Sequence, residues 1–133
     1  MKTSILIISI SLIVTAFCIV TGFKNDPKKE SINTTITKDA KKLAEYYRQR
    51  VIKGESMASI AKLYSEDPGS APNGGQYKNV IKGMMVPEFE KVAFSLKPNE
   101  ISEVFETQYG FHFIQLISRK GDVLDLRHLL IMK

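Results

Sequence analysis

From Ile5 to Phe23 the chain carries no charged residue, and a single lysine, Lys2, stands ahead of that run. An apolar stretch behind one positive charge has the form of an export segment. It therefore takes residues 1–23 out of the folded part. Two readings of it stay open. Val20-Thr21-Gly22 supplies small residues for a signal-peptide cut before Phe23, whereas the length of the run is near the roughly 20 residues that span a bilayer and so also suits an uncleaved anchor. Phe17, just before Cys18, is too bulky for the small residue that a lipoprotein site takes. In either reading Lys2 stays inside and the remainder crosses. The expectation is an exported protein, periplasmic or anchored to the inner membrane facing the periplasm. The residues beyond the segment suffice for one small domain.

Cys18 is the only cysteine of the 133 residues, so the part beyond the segment has no thiol for a disulfide or a cysteine-based metal site. His112 and His128 are the only histidines, which leaves little for zinc or for a Ser-His-Asp arrangement. We expect no metal and no cofactor. The net charge of +5 comes from Lys and Arg scattered among Asp and Glu. Basic balance without a basic cluster does not point to nucleic acid. The membrane is expected to be met only through the N-terminal segment.

Residues 24–37 read as a tether. Lys24 to Glu30 is polar and holds Pro27, and Ser31 to Thr37 is rich enough in β-branched residues for a short edge strand. Asp39 is placed to cap a helix whose Ala40, Leu43, Ala44, Tyr47 and Val51 share one face. Gly54 stops it, and Ser56 caps a second helix with Met57, Ile60, Ala61 and Tyr64 on one side. Lys41, Lys42 and Arg48 are spaced as solvated charges on the first helix. Ser65 to Gly75 is a turn-forming loop, and Gln76 to Ile81 suits a strand. Pro87 opens a third helix carrying Phe89, Val92, Ala93 and Leu96. Strands are expected at Ile101–Glu106, Phe111–Ile117 and Leu126–Met132, with a turn at Arg119–Asp122. Helices before a terminal run of strands make the class α+β.

Three blocks between Ala61 and Leu116 give the chain a family resemblance. The first is Leu63-Tyr64-Ser65-Glu66-Asp67-Pro68-Gly69-Ser70 followed by Asn73-Gly74-Gly75. The second is Gly83-Met84-Met85-Val86-Pro87-Glu88-Phe89-Glu90 with Ala93-Phe94-Ser95-Leu96. The third is Glu100-Ile101-Ser102 with Thr107-Gln108-Tyr109-Gly110-Phe111-His112. Together and in order they resemble the parvulin-type (rotamase) peptidyl-prolyl isomerases, in their PpiC/SurA-like form. The resemblance spans about residues 38–118, inside a domain set at 38–120. It implies a four-stranded antiparallel sheet wrapped by about four helices, and rotation about X–Pro bonds in unfolded or proline-containing polypeptides.

Position by position, the resemblance implies that Met85 and Phe89 floor a proline pocket and that Tyr77 closes it. His112 stands at its centre. Asp67 takes a position that is Cys or Asp in the family, and Thr107 and Tyr109 match the hydroxyl-bearing pair before the strand that carries His112. Taken as residues alone, these have plainer roles: core packing for Met85 and Phe89, a buried satisfied histidine for His112, a turn cap for Asp67 and a strand position for Thr107.

The chain departs from the family at its start. Parvulin domains open with a strand of the Arg-His-Ile-Leu type whose histidine pairs with the one at His112, and residues 31–36 hold no histidine. Arg127-His128-Leu129-Leu130-Ile131, in the segment 121–133, looks like that strand. Either it opens a second parvulin domain that this chain lacks, or it folds back in a hairpin and supplies the first strand, with His128 facing His112. The function expected is a peptidyl-prolyl isomerase aiding exported proteins. The alternative is a catalytically weak or inactive parvulin-like chaperone module that binds unfolded polypeptides.

Overall fold

In the computed structural model the described residues are 39–133. The N-terminal segment, the tether and the strand expected at Ser31–Thr37 lie outside them. Among the described residues there are three α-helices, α1 (Ala40–Ile52), α2 (Met57–Tyr64) and α3 (Pro87–Ser95), and four strands, β1 (Gln76–Val80), β2 (Phe105–Thr107), β3 (Gly110–Lys120) and β4 (Val123–Met132). A short 3-10 turn, Ala71–Asn73, stands in place of a fourth helix.

The helices start where short-range chemistry says they should. Asp39 accepts from the backbone N–H of Lys41 and Lys42, and Ser56 from that of Ser59, satisfying donors that a helix start leaves unpaired. Pro87 occupies the first turn of α3, where its missing N–H costs nothing. Glu90 in that helix reaches back to accept from the N–H groups of Gly83 (2.6 Å) and Met85 (3.0 Å), fixing the Gly83–Val86 turn onto α3.

All four strands form one antiparallel sheet in the order β1-β4-β3-β2. The segment 123–132 folds back on β3 through the two residues Gly121 and Asp122 and lies at the centre of the sheet. Gly121 has φ +58°, which a glycine leading a two-residue hairpin turn supplies without strain. Both sheet faces are covered. α1 and α2 bury Ala44, Val51, Met57 and Ile60 against Phe113, Leu129 and Ile131. On the other face α3 brings Phe89, Ala93 and Leu96 onto Val80, Ile114, Leu116, Leu124 and Leu126. Double coverage explains why β3 and the end of β4 read as nearly continuous apolar runs.

Two expectations are corrected. The strand expected at Ile101–Glu106 forms at Phe105–Thr107, and Ile101 makes an isolated bridge to Gln115. The reason is that Ser102 turns inward: its hydroxyl accepts from Ile114 N–H, and its carbonyl accepts from the Arg48 guanidinium at 2.6 Å. Arg48 is therefore not a solvated charge. It is buried, and it ties α1 to the Ser102–Glu103 segment while pairing with Glu45 and Glu103.

Candidate active site

β1 is shorter than β4, so it leaves half of the β4 edge without a strand partner. The Ser65–Gly75 loop takes that half. Gly75 C=O accepts from His128 N–H, Leu130 C=O accepts from Glu66 N–H, and the Ser65 hydroxyl accepts from Leu130 N–H. Behind the loop, Arg127 donates to the carbonyls of Asn73 and Gly74. Asp67 is thereby held beside His128, although 61 residues separate them.

On the sheet face under α3, His112 of β3 stands opposite Leu130, and His128 of β4 stands opposite Ile114. The two imidazoles are diagonal neighbours on one face. Their rings are stacked at 5.7 Å between centroids, and their Nδ1 atoms are 3.4 Å apart. Each is 4% exposed. Phe89 stands edge-on to both, at 5.8 Å from His112 and 5.4 Å from His128. Phe105 stacks on the outer side of His112 at 5.5 Å.

The polar contacts form a chain. Tyr109 N–H donates to Thr107 Oγ1 at 3.2 Å, and Thr107 Oγ1 is 2.8 Å from His112 Nε2. His128 Nε2 is 2.8 Å from Asp67 Oδ2 and 2.8 Å from Ser70 Oγ. Asp67 Oδ2 also accepts from the Ser70 hydroxyl at 2.5 Å and from the Tyr77 hydroxyl at 2.9 Å, while Oδ1 accepts from Gly69 N–H. One proton assignment satisfies every link with two neutral imidazoles. Thr107 donates to His112 Nε2, His112 Nδ1–H donates to His128 Nδ1, and His128 Nε2–H donates to Asp67.

Electrostatics agree with that assignment at His112, Asp67 and Tyr77. Burial, with His128 adding to it and Asp67 opposing it, pushes the His112 imidazole down to about 4. The hydrogen bond with His128, then those from Ser70 and Tyr77, hold the Asp67 carboxyl well below the usual range in spite of burial. Burial and the neighbouring Asp67 push Tyr77 up to about 12, so its hydroxyl stays a donor.

These groups form one wall of a cleft of about 450 Å³. Met85, Val86 and Phe89 give it an apolar side, and Tyr77, His112, His128 and Asp67 its polar base. Among the described residues, no Lys or Arg lines it. Seven of the eight residues singled out from sequence line the cleft. The eighth, Thr107, is buried behind it on His112. Tyr109 sits at the rim, its side chain more than half exposed. Asp67 makes contacts on two sides, one oxygen accepting in the turn and the other on His128. Sequence reasoning missed Ser70, which is fully buried between Asp67 and His128, and also Phe105, Met84 and Met132. The spacing Asp67-x-x-Ser70 around a tight turn was the available signal for Ser70. Among the described residues no three His, Cys, Asp or Glu side chains converge as a metal ion would need.

Residues 24–118 match the Rotamase family, described as the PPIC-type PPIase domain. The chain belongs to the PPIC-type PPIase family. Among its relatives is the foldase protein PrsA of Geobacillus sp. (strain WCH70), 41% identical over 98 residues, which are 74% of this chain and 35% of that one. Another is the chaperone SurA of Nitrosococcus oceani, 42% identical over 75 residues, 56% of this chain and 18% of that one. The fold is similar to the crystal structure of the peptidylprolyl isomerase PrsA from Bacillus cereus, with a TM-score of 0.58 and 40% identity over 61% of this chain and 31% of that one. The chain thus spans about a third or less of the length of these relatives. The family match ends at residue 118, so β4 and His128 lie beyond the matched stretch of this PPIC-type domain.

Proposed function

We propose that the chain is a peptidyl-prolyl cis/trans isomerase that assists the folding of exported polypeptides. The observation that carries this reading is the paired-histidine wall of an apolar cleft in a PPIC-type domain. X–Pro isomerisation breaks no bond. Its barrier of roughly 20 kcal/mol is the loss of amide resonance as the imide twists. A cleft that seats the proline ring while excluding water favours the twisted imide, which carries less charge separation than the planar one. In this reading Met85 and Phe89 floor the ring's seat, Tyr77 forms its wall, and Tyr109 meets the flanking chain at the rim. His112, His128, Asp67 and Thr107 form a saturated polar base that keeps the seat in one shape. Residues 121–133 then belong to the same domain as residues 38–120. The apolar run of residues 5–23 supports export, either by a cleaved signal or by an anchor.

A second reading, a module that holds unfolded chains without isomerising them, is favoured by the apolar rim. Met84, Met132 and Tyr109 are about half exposed there. The test is the isomerisation rate of a proline-containing peptide with the full chain and with His128→Ala. Catalysis by the first that the second loses by about 10²-fold supports the enzyme. Peptide binding with no rate above the uncatalysed reaction supports the holding module.

A further inference from the structure

Tyr77 does more than form a wall. It stands opposite Leu126 in the β1–β4 ladder, on the face that carries His128, and its ring centroid is 5.2 Å from that of His128. Its hydroxyl reaches Asp67 Oδ2 at 2.9 Å, the same oxygen that receives His128 and Ser70. We propose that Tyr77 is a positioning residue that joins the proline-facing wall to the Asp67–His128 pair, so that the wall and the histidine tautomer are set together. The inference rests on the isomerase reading for its kinetic consequence and on geometry alone for its structural one.

A second observation points the same way. A Cβ at Gly69 would stand 3.3 Å from the Tyr77 hydroxyl and 3.4 Å from Asp67 Oδ1, and Gly69 needs no left-handed backbone. The glycine leaves room for the hydroxyl to reach the carboxylate. The groups facing Asp67 are His128 from β4, Tyr77 from β1, and Ser70 with Gly69 N–H from its own loop, while His112 of β3 lies one ring further. Removing the Tyr77 donor raises the tendency of Asp67 to take a proton. That loosens its hold on the His128 Nε2–H tautomer.

The test compares the full chain with Tyr77→Phe, Gly69→Ala and the double variant. Tyr77→Phe keeps the ring, so KM should change less than about twofold while kcat falls about tenfold, in keeping with the loss of a hydrogen bond to a charged group. The His128 Nε2–H signal in the NMR spectrum should shift and exchange faster. Gly69→Ala should reproduce part of the kcat loss in the native background and none in the Tyr77→Phe background. The proposal is overturned if Tyr77→Phe leaves the His128 signal unchanged, or if Gly69→Ala acts equally in both backgrounds. Should the native chain not exceed the uncatalysed rate, the isomerase reading fails, and the His128 signal alone decides the role of Tyr77.

Discussion

Truncating His128 to alanine takes one donor from a carboxylate that is mostly shielded from water and leaves His112 Nδ1 facing a void. The expected cost is about 2 kcal/mol of stability, read from urea unfolding, besides the loss of isomerisation that the proposed function entails. Acid adds a second effect at this scale. His112 refuses a proton in the native state until about pH 4, whereas the unfolded chain takes one at its ordinary value of 6.5. Between those limits the unfolded state binds more protons, so stability rises with pH. It should drop by about 3 kcal/mol as pH falls from 6.5 to 4. Asp67 works in the same direction in a lower window. Its depressed pKa contributes stability that is fully present above the ordinary 3.8 and is lost as pH falls through the native value. Urea midpoints between about pH 4 and 7 should slope upward in the native chain, and His112→Gln should flatten them.

An element that tightly limits substitution is the crossing of the Ser65–Gly75 loop over β4. Gly75 has φ +72°, and a Cβ there would lie 2.1 Å from the His128 carbonyl oxygen and 2.8 Å from Ala61 Cβ. Backbone meets backbone at that point, so nothing can swing aside. Gly75→Ala should cost more than about 4 kcal/mol and release Asp67 from His128, detectable as loss of cooperative unfolding. Gly121→Ala meets nothing within 4 Å. It carries only the left-handed backbone strain, about 1 kcal/mol. Thermal melts of the two variants separate a packing glycine from a turn glycine.

For the whole molecule the decisive fact is that β4 is an interior strand. It contributes Leu124, Leu126, Leu129, Leu130 and Ile131 to the buried set and borders both β1 and β3. A chain ending at Leu124 loses the strand that joins the two edges of the sheet and half of the histidine pair. It should show no cooperative unfolding transition by circular dichroism, while the full chain does. A shortened protein that still melts cooperatively would mean that β1 can reach β3 directly. Contacts between β4 and the loop join distant parts of the chain, and contacts of such high sequence separation slow folding.

The helices, their caps and the turns were legible because each rests on residues within a few positions of one another: Asp39 on Lys42, Ser56 on Ser59, glycine leading the β3–β4 turn. The family blocks marked Met85, Phe89, Asp67 and His112, position within the resemblance marked Tyr77, and the short turn before β4 made a fold-back physically reasonable. Besides Phe105, Met84 and Met132 at the cleft, three features escaped. Arg48 was read as solvated because helix spacing cannot register a carbonyl at Ser102, 54 residues away. The strand at 101–106 was misplaced because Ser102 turns inward for that same arginine and for Ile114. Ser70 went unseen because its contact with His128, 58 residues away, exists only once the loop lies along β4. Sequence by itself determined the local elements and the chemical kinds of residue at the site. Tertiary structure alone decided which strand edge the loop covers, and so which oxygen of Asp67 meets His128, because those contacts depend on register between segments that share no local signal.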